Sequence, residues 1–252
     1  MAKIIVFANQ KGGVGKTTTA VNLGAYIAEA GKRVLLIDFD PQANSSSGIG
    51  ARKDAPGIYE AMTGAVEPSA TIQPCAGLPN LSVIPSSINL TGATVELVDQ
   101  EGREFFLKRV VDRVAAGFDF VFIDCPPSLG ILTLNGLVAA DAVIIPLQCE
   151  YYALEGLSQL LQTIQSVQKE LNPRLQIGGI LFTMYDVRTR LAHEVVQEVT
   201  GYFKEKVFRT IIPRNIRLSE APSFAKPISQ YDPECIGARS YQSLAQEVLA
   251  GV

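Results

Sequence analysis

Continuous apolar runs along the chain alternate with longer stretches in which apolar residues recur at helical spacing. The runs predict strands and the helically spaced stretches predict helices. Several runs are apolar at every position, which is typical of central strands in parallel sheets. The predicted strands span 4–8, 33–37, 81–84, 120–123, 142–147 and 177–184, and the main predicted helices span 17–30, 103–116, 154–171 and 236–249. This alternation indicates an α/β protein.

The composition is that of a compact soluble protein. Its 252 residues are 47% apolar and 19% charged, which suits a single domain over residues 1–252. We find no signal pattern at the N-terminus and no apolar run near the ~18 residues of a membrane span, so we expect a cytoplasmic location. Four scattered cysteines and one histidine do not favour a zinc site. The net charge of −3 means that any DNA contact needs a local basic patch.

A glycine-rich segment follows the first predicted strand directly. Its glycines would let successive backbone N–H groups converge on an anion, and the next helix adds the positive end of its dipole. Lys16 would reach the β- and γ-phosphates of a nucleotide, and the Thr17 hydroxyl would ligate Mg²⁺. The predicted phosphate-binding residues are Gly12, Gly13, Val14, Gly15, Lys16, Thr17 and Thr18.

This segment departs from the usual phosphate-binding pattern. Gln10 stands where the first glycine is expected, and a second lysine, Lys11, precedes two glycines. Residues 11–18, Lys-Gly-Gly-Val-Gly-Lys-Thr-Thr, resemble the deviant phosphate-binding loop of the ParA/MinD ATPases, a branch that includes the nitrogenase iron protein. In that family the extra lysine reaches across a dimer interface to the partner's nucleotide. The resemblance implies ATP as the cofactor and catalytic roles for Lys11 and Lys16.

Two aspartates follow the second predicted strand. Asp38 and Asp40 stand at its carboxyl end, where open α/β sheets bind ligands, and strand alternation could place both on one face. Taken alone, the pair equally fits a solvated loop. Residues 38–42 look like the second signature of the same family, in which the aspartate before the proline positions the attacking water. The resemblance implies the hydrolytic role for Asp40 and a supporting role near Mg²⁺ for Asp38.

A third aspartate, Asp124, closes the apolar run at 120–123. P-loop NTPases hold Mg²⁺ with an aspartate at the end of such a strand. Many parallel strands end in aspartate, so the pattern is weak by itself. The sequence Asp-Cys-Pro-Pro at 124–127 matches the family's version closely. We therefore predict that Asp124 and Thr17 belong to the metal site.

Three other segments give structural expectations. Residues 43–58 are rich in serine, glycine and asparagine and predict a mobile loop that orders with nucleotide. The glycines at 178 and 179 suggest close packing of a helix on that strand. The last predicted helix has an apolar stripe and almost no cations on its polar face, so we expect it to pack on the sheet.

Positive charge concentrates late in the chain. Residues 186–217 contain seven arginines and lysines and four acids, a local excess of +3. A solvated helix face explains such a run as readily as a phosphate-contacting patch. Residues 185–189 and 212–218 resemble segments of chromosomal, Soj-type ParA proteins. In that family the arginines that match Arg188 and Arg217 contact nonspecific DNA.

Two further regions are assigned by the same resemblance. Pro213 and Asn215 fall where the family builds its adenine pocket, and an Asn amide has the donor and the acceptor that an adenine edge requires. Residues 150–152 and 154–156 resemble the family's dimer-interface region.

The resemblance spans nearly the whole chain and implies a ParA/Soj-type partition ATPase of the deviant P-loop class. Its fold would be a three-layer α/β sandwich, a mostly parallel twisted sheet with helices on both faces. ATP and Mg²⁺ would favour a homodimer that binds nonspecific DNA on the nucleoid. Hydrolysis would be slow and stimulated by a ParB-type partner, and no membrane association is expected.

Three alternatives stay open at this point. A MinD-like ATPase would dock on membranes, although the last helix lacks the basic face for it. A relative in the same family could position a different cargo on the nucleoid. A metabolic P-loop enzyme would use Lys11 within one subunit and bind a small-molecule acceptor.

Overall fold

Seven strands form one sheet in the computed structural model, which describes residues 1–52, 54–96, 99–151 and 153–251. The strands are β1 (Lys3–Phe7), β2 (Val34–Asp38), β3 (Gln73–Cys75), β4 (Leu78–Ile84), β5 (Phe120–Asp124), β6 (Ala142–Gln148) and β7 (Gln176–Thr183). Their spatial order is β3-β4-β2-β5-β1-β6-β7. Every neighbouring pair is parallel except β3 and β4.

Helices connect the strands and cover both faces of the sheet. They are α1 (Lys16–Glu29), α2 (Asn44–Gly48), α3 (Ile58–Thr63), α4 (Leu90–Glu96), α5 (Phe106–Val114), α6 (Ile131–Ala139), α7 (Ala153–Glu170), α8 (Arg190–Phe203), α9 (Ile216–Glu220), α10 (Ile228–Tyr231) and α11 (Ile236–Ala250). No helix of the described chain is long and apolar enough to cross a bilayer.

Strand alternation divides the core into two clusters. Along β1, Ile5 and Phe7 join one cluster while Val6 joins the other. The first cluster receives the buried side chains of α1 and α11, and the second receives those of α5, α6 and α7. Burial on both faces explains why the strands read as continuous apolar runs. The three-layer α/β prediction is confirmed.

The register of the sheet places the predicted site residues at one edge, where the strands end. Asp38, the last residue of β2, lies directly beside Asp124, the last residue of β5, and Phe7 at the end of β1 lies on the other side of Asp124. Adjacent strands are about 4.8 Å apart, so the two carboxylates begin as immediate neighbours. The loop after β1 opens at the same edge.

Of three structural expectations, two need correction. Residues 44–48 form the short helix α2, so the predicted irregular loop does not extend through them. A Cβ at Gly179 would clash with the ring of Phe208, so an aromatic side chain, not a helix, requires that glycine. The expectation for α11 holds, since its buried side chains join the core cluster that contains Phe7 and Phe122, and the helix lies beside α1, where the Tyr241 hydroxyl is 3.1 Å from the Thr19 hydroxyl.

Gly136 links the packing of α6 to the edge that carries the site. A Cβ added there would lie 2.5 Å from the Cys125 Sγ and 3.1 Å from a Val6 methyl carbon. We predict that Gly136→Ala lowers the free energy of unfolding by about 1–3 kcal/mol, the usual cost of overpacking. Gly201 in α8 has open space around its added Cβ. Gly201→Ala is the matched control and should raise that free energy by about 0.5–1 kcal/mol. Urea denaturation measures both, and equal effects would contradict the packing described.

Candidate active site

The loop between β1 and α1 is shaped to hold an anion. Gly13 has φ of +74° and Gly15 has φ of +88°, backbone conformations that side chains other than glycine rarely adopt. The helix α1 begins at Lys16, and no side chain caps its N-terminus. The N–H groups of its first turn therefore remain available to a ligand at the positive end of the helix dipole.

A cavity of about 490 Å³ opens over this loop, which is a size typical of small-molecule sites. It brings together residues that are distant in the sequence. The predicted site residues among its lining are Gly13, Gly15, Lys16, Thr17, Thr18, Asp40, Pro213 and Asn215. Among the described residues, Gly12 and Val14 do not line it; Gly12 lies against Pro127, and the Val14 carbonyl accepts a hydrogen bond from Thr183.

The two lysines of the loop occupy different environments. Lys16 is only 6% exposed, and its ammonium donates to the Lys11 carbonyl at 3.1 Å. Burial lowers the pKa of Lys16, while the charges of Asp124 and Asp40 act in the opposite direction. The Lys11 side chain is 40% exposed and forms an ion pair with Glu150. Lys16 therefore lies at the floor of the cavity, and Lys11 lies at the outer surface of the loop.

Asp38 and Asp124 form a fully buried pair of carboxylates at the ends of β2 and β5. Burial is the main cause that raises the pKa of each, and the charge of Asp124 raises that of Asp38 further. Donors from α2 offset part of this cost. Ser45 donates to Asp124 Oδ2 at 2.6 Å, and the Ser46 hydroxyl donates to Asp38 Oδ2 at 2.6 Å.

The donor set fits a hard divalent cation. Asp124 Oδ1 is buried and makes no hydrogen bond with the described residues. The Thr17 hydroxyl nevertheless lies close enough to lower the pKa of Asp124, as does the charge of Lys16. A buried carboxylate oxygen next to a threonine hydroxyl offers the oxygen ligands that Mg²⁺ prefers. The residues that would hold the ion are thus Asp124 and Thr17.

Asp40 stands where the backbone turns from β2 into α2. It is 6% exposed, and its Oδ1 accepts a hydrogen bond from the Gln42 N–H at 3.0 Å. Its own N–H donates to Asp38 Oδ1 at 3.2 Å. The Asp40 carboxylate therefore borders the cavity from a loop that Asp38 holds in place.

The far end of the cavity is built from the segment after β7. Pro213 pairs with Tyr185, and the Asn215 Oδ1 accepts the Arg217 N–H at 2.9 Å as the cap of α9. The Asn215 carbonyl oxygen is thus engaged locally, and its amide NH₂ remains the group able to donate to a base. Tyr241 also lines the cavity, a residue that the sequence patterns placed only in the core.

Comparison with known proteins identifies the family. The family described as AAA domain matches residues 2–177. The chromosome-partitioning ATPase Soj of Treponema pallidum is 60% identical over 250 residues, covering 99% of this chain and 98% of Soj. The sporulation initiation inhibitor protein Soj of Bacillus subtilis is 54% identical, covering 99% of each chain.

The chain belongs to the Soj/ParA family of chromosome-partitioning ATPases. Among solved structures, a Mycobacterium smegmatis protein described as cobyrinic acid a,c-diamide synthase superimposes with a TM-score of 0.86 at 40% identity. The match covers 99% of this chain and 94% of that one. That protein was solved with ADP and magnesium, and also with an ATP analogue and magnesium. The ATP and Mg²⁺ that the sequence implies agree with the ligands of that neighbour.

The two arginines predicted to contact DNA lie on neighbouring segments of this Soj/ParA fold. The Tyr185 N–H donates to the Ile212 carbonyl at 3.1 Å, which holds their segments side by side. Arg188 is 83% exposed and pairs with Asp186, and Arg217 pairs with Glu220 and Asp232. Bound phosphates would therefore have to compete with carboxylates of the chain itself.

The predicted interface segment lies beside the phosphate loop. Glu150 follows β6 and meets Lys11, and Tyr151 is exposed. Tyr152, which the same prediction included, lies outside the described residues.

Sequence reasoning missed Ser45 and Ser46. Both are nearly fully buried, at 0% and 2% exposure, although they fall in a polar run that predicts a loop. Small hydroxyl residues a few positions after Asp40 were the available signal, since buried carboxylates need donors.

Lys16 provides the direct test of the cavity. We predict that Lys16→Ala weakens binding of a fluorescent ATP analogue by about 10- to 150-fold, the range expected from hydrogen bonds to charged groups. Lys32→Ala removes the same charge from an exposed position just after α1 and should leave the affinity unchanged. Equal affinities for all three proteins would show that the nucleotide binds elsewhere.

Proposed function

We propose that this chain is a Soj-type partition switch that spans residues 1–252 as one P-loop ATPase domain. It forms a homodimer with ATP, binds nonspecific DNA of the nucleoid in that state, and releases DNA after hydrolysis. The chromosome-partitioning function of its relatives, at 54–60% identity over nearly the whole chain, supports the general role.

The observation that carries this proposal is the position of Lys11. Its ammonium lies outside the cavity, half-exposed and paired with Glu150, while Lys16 already provides a cation at the cavity floor. A second lysine on the outer side of a phosphate loop is placed to meet the phosphates of another subunit. ATP would then favour the dimer through this differential contact.

Hydrolysis requires that the negative charge of the γ-phosphoryl group is neutralised and that the attacking water is oriented. Mg²⁺ would supply positive charge and alignment when bound, and Asp124 and Thr17 would hold it. Lys16 and the partner's Lys11 contact the phosphates, and Asp40 accepts a hydrogen bond from the attacking water. Slow turnover follows from the switch function, because the ATP state must last long enough to be read. A ParB-type protein would accelerate the step.

DNA binding is proposed for the surface around Arg188 and Arg217. A dimer presents this surface twice, so the gain in effective concentration makes binding depend on the nucleotide state. Because both arginines start from intrachain ion pairs, the net gain per contact is modest and sensitive to salt.

A metabolic enzyme is the alternative that one observation favours. The structural relative described as cobyrinic acid a,c-diamide synthase is 40% identical over nearly the whole chain. This alternative predicts a small-molecule acceptor and no ATP-dependent affinity for DNA. A MinD-like membrane function has less support, since the apolar stripe of α11 is buried against α1.

The decisive experiment combines size-exclusion chromatography with retention on DNA-coated resin. We predict a monomer without DNA affinity in ADP, and a dimer retained by DNA in a slowly hydrolysed ATP analogue. Arg188→Ala with Arg217→Ala should still dimerise but lose retention. The slope of log affinity against log salt should fall by about 0.9 for each lost phosphate contact.

Arg33→Ala with Arg113→Ala is the matched control, because both arginines are also exposed and ion-paired. This variant should keep DNA retention. If the protein is not retained by DNA with either nucleotide, the partition function is rejected. If the Arg188/Arg217 variant is still retained, the proposed DNA-binding surface is rejected.

A further inference from the structure

The short helix α2 holds three strand ends together at the floor of the site. Ser45 donates to Asp124 at the end of β5, and Ser46 donates to Asp38 at the end of β2 through both its hydroxyl and its N–H. The Ser46 Oγ also accepts the Ser86 N–H at 3.0 Å, from the segment after β4. Two adjacent serines thus connect three neighbouring strands through buried hydrogen bonds.

The two carboxylates differ in what remains free on each. Asp38 Oδ2 accepts two hydrogen bonds from Ser46, and its Oδ1 accepts the Asp40 N–H. Both oxygens of Asp38 are therefore engaged by the protein. Asp124 uses only Oδ2, with Ser45, and its buried Oδ1 has no hydrogen-bond partner among the described residues.

Asp124 is not among the residues that line the nucleotide cavity, but it lies close to two residues that are. Lys16 and Thr17 line that cavity, and the Thr17 hydroxyl and the charge of Lys16 each lower the pKa of the Asp124 carboxyl. Asp38 is instead tied to the N–H of Asp40 on one side and to α2 on the other. Asp38 is therefore bonded to both ends of the segment that carries Asp40.

We propose that Ser45 and Ser46 are positioning residues that give the two buried carboxylates different tasks. Ser45 orients Asp124 so that Oδ1 faces the cation of the bound nucleotide. Ser46 fixes Asp38 as the anchor of residues 40–48, so Asp38 is not a ligand of the cation. This assignment revises the metal-site role that the sequence implied for Asp38, and it rests on the proposed position of ATP and Mg²⁺.

The first readout is the gain in affinity for a fluorescent, slowly hydrolysed ATP analogue when EDTA is replaced by Mg²⁺. Asp124→Asn should reduce this magnesium gain at least tenfold, and Ser45→Ala should reduce it by a smaller factor. Asp38→Asn and Ser46→Ala should keep it within threefold of the original protein. If Asp38→Asn loses the gain as fully as Asp124→Asn, Asp38 is a ligand and the proposal is overturned.

The second readout is amide hydrogen exchange over residues 40–48 without nucleotide, which reports local opening independently of catalysis. Ser46→Ala and Asp38→Asn should accelerate exchange there at least tenfold, and Ser46→Thr, which keeps the hydroxyl, should restore protection. Unchanged exchange in Ser46→Ala would overturn the anchoring role. Should Asp38→Asn not fold, Ser46→Ala decides the question with both readouts.

Ser86→Ala is a matched control, because the Ser86 hydroxyl is buried without a hydrogen-bond partner among the described residues while its N–H is retained. It should change exchange over residues 40–48 by less than threefold, and acceleration equal to that of Ser46→Ala would overturn the role of the Ser46 hydroxyl. If Mg²⁺ gives no gain in affinity in the original protein, the proposed ATP and Mg²⁺ site is itself rejected. That outcome distinguishes failure of the site from failure of the roles proposed for Ser45 and Ser46.

Discussion

The site depends on the placement of two carboxylates side by side in the interior. The parallel register of β2 and β5 makes Asp38 and Asp124 direct neighbours, and neither is exposed to solvent. Buried like charges are costly unless donors or cations compensate them. Here Ser45 and Ser46 supply hydroxyl donors and Lys16 supplies a nearby charge. The arrangement leaves Asp124 Oδ1 without a hydrogen-bond partner among the described residues, and a bound cation would compensate its charge.

This arrangement would couple a bound nucleotide to the conformation of the chain, as the proposed switch requires. The phosphate loop, the free oxygen of Asp124 and the segment that carries Asp40 all meet at one sheet edge. Lys11 lies at the outer side of the same loop. Under the proposed function, a ligand that brings phosphates and Mg²⁺ together would act on the cavity floor and on the exposed surface at once.

Much of this could be predicted from the sequence because the decisive signals are local. Apolar runs identified β1, β2 and β5, and the glycine-rich segment identified the start of α1. The helix α6 gave no comparable signal, because it is buried on nearly all sides and lacks an amphipathic period. The strand β3 is only three residues long, too short for periodicity to reveal.

The tasks of the site residues were harder to predict than their identity. Asp38 and Asp124 both end apolar strands, and only the hydrogen bonds from α2 distinguish them. Those bonds depend on residues 44–48 folding back over the sheet edge, which is a tertiary contact that no local pattern encodes. The ion pairs of Arg188 and Arg217 likewise became visible only in three dimensions.

Lys11 is the residue proposed to act on the nucleotide of a second subunit. A crystal structure of the Asp40→Ala variant with ATP and Mg²⁺ tests this most directly, because the substitution removes the group proposed to orient the water and so preserves ATP. We predict a dimer in which Lys11 has left Glu150 and contacts the phosphates bound by the partner. A structure in which Lys11 remains paired with Glu150, or contacts ATP of its own subunit, would contradict the account.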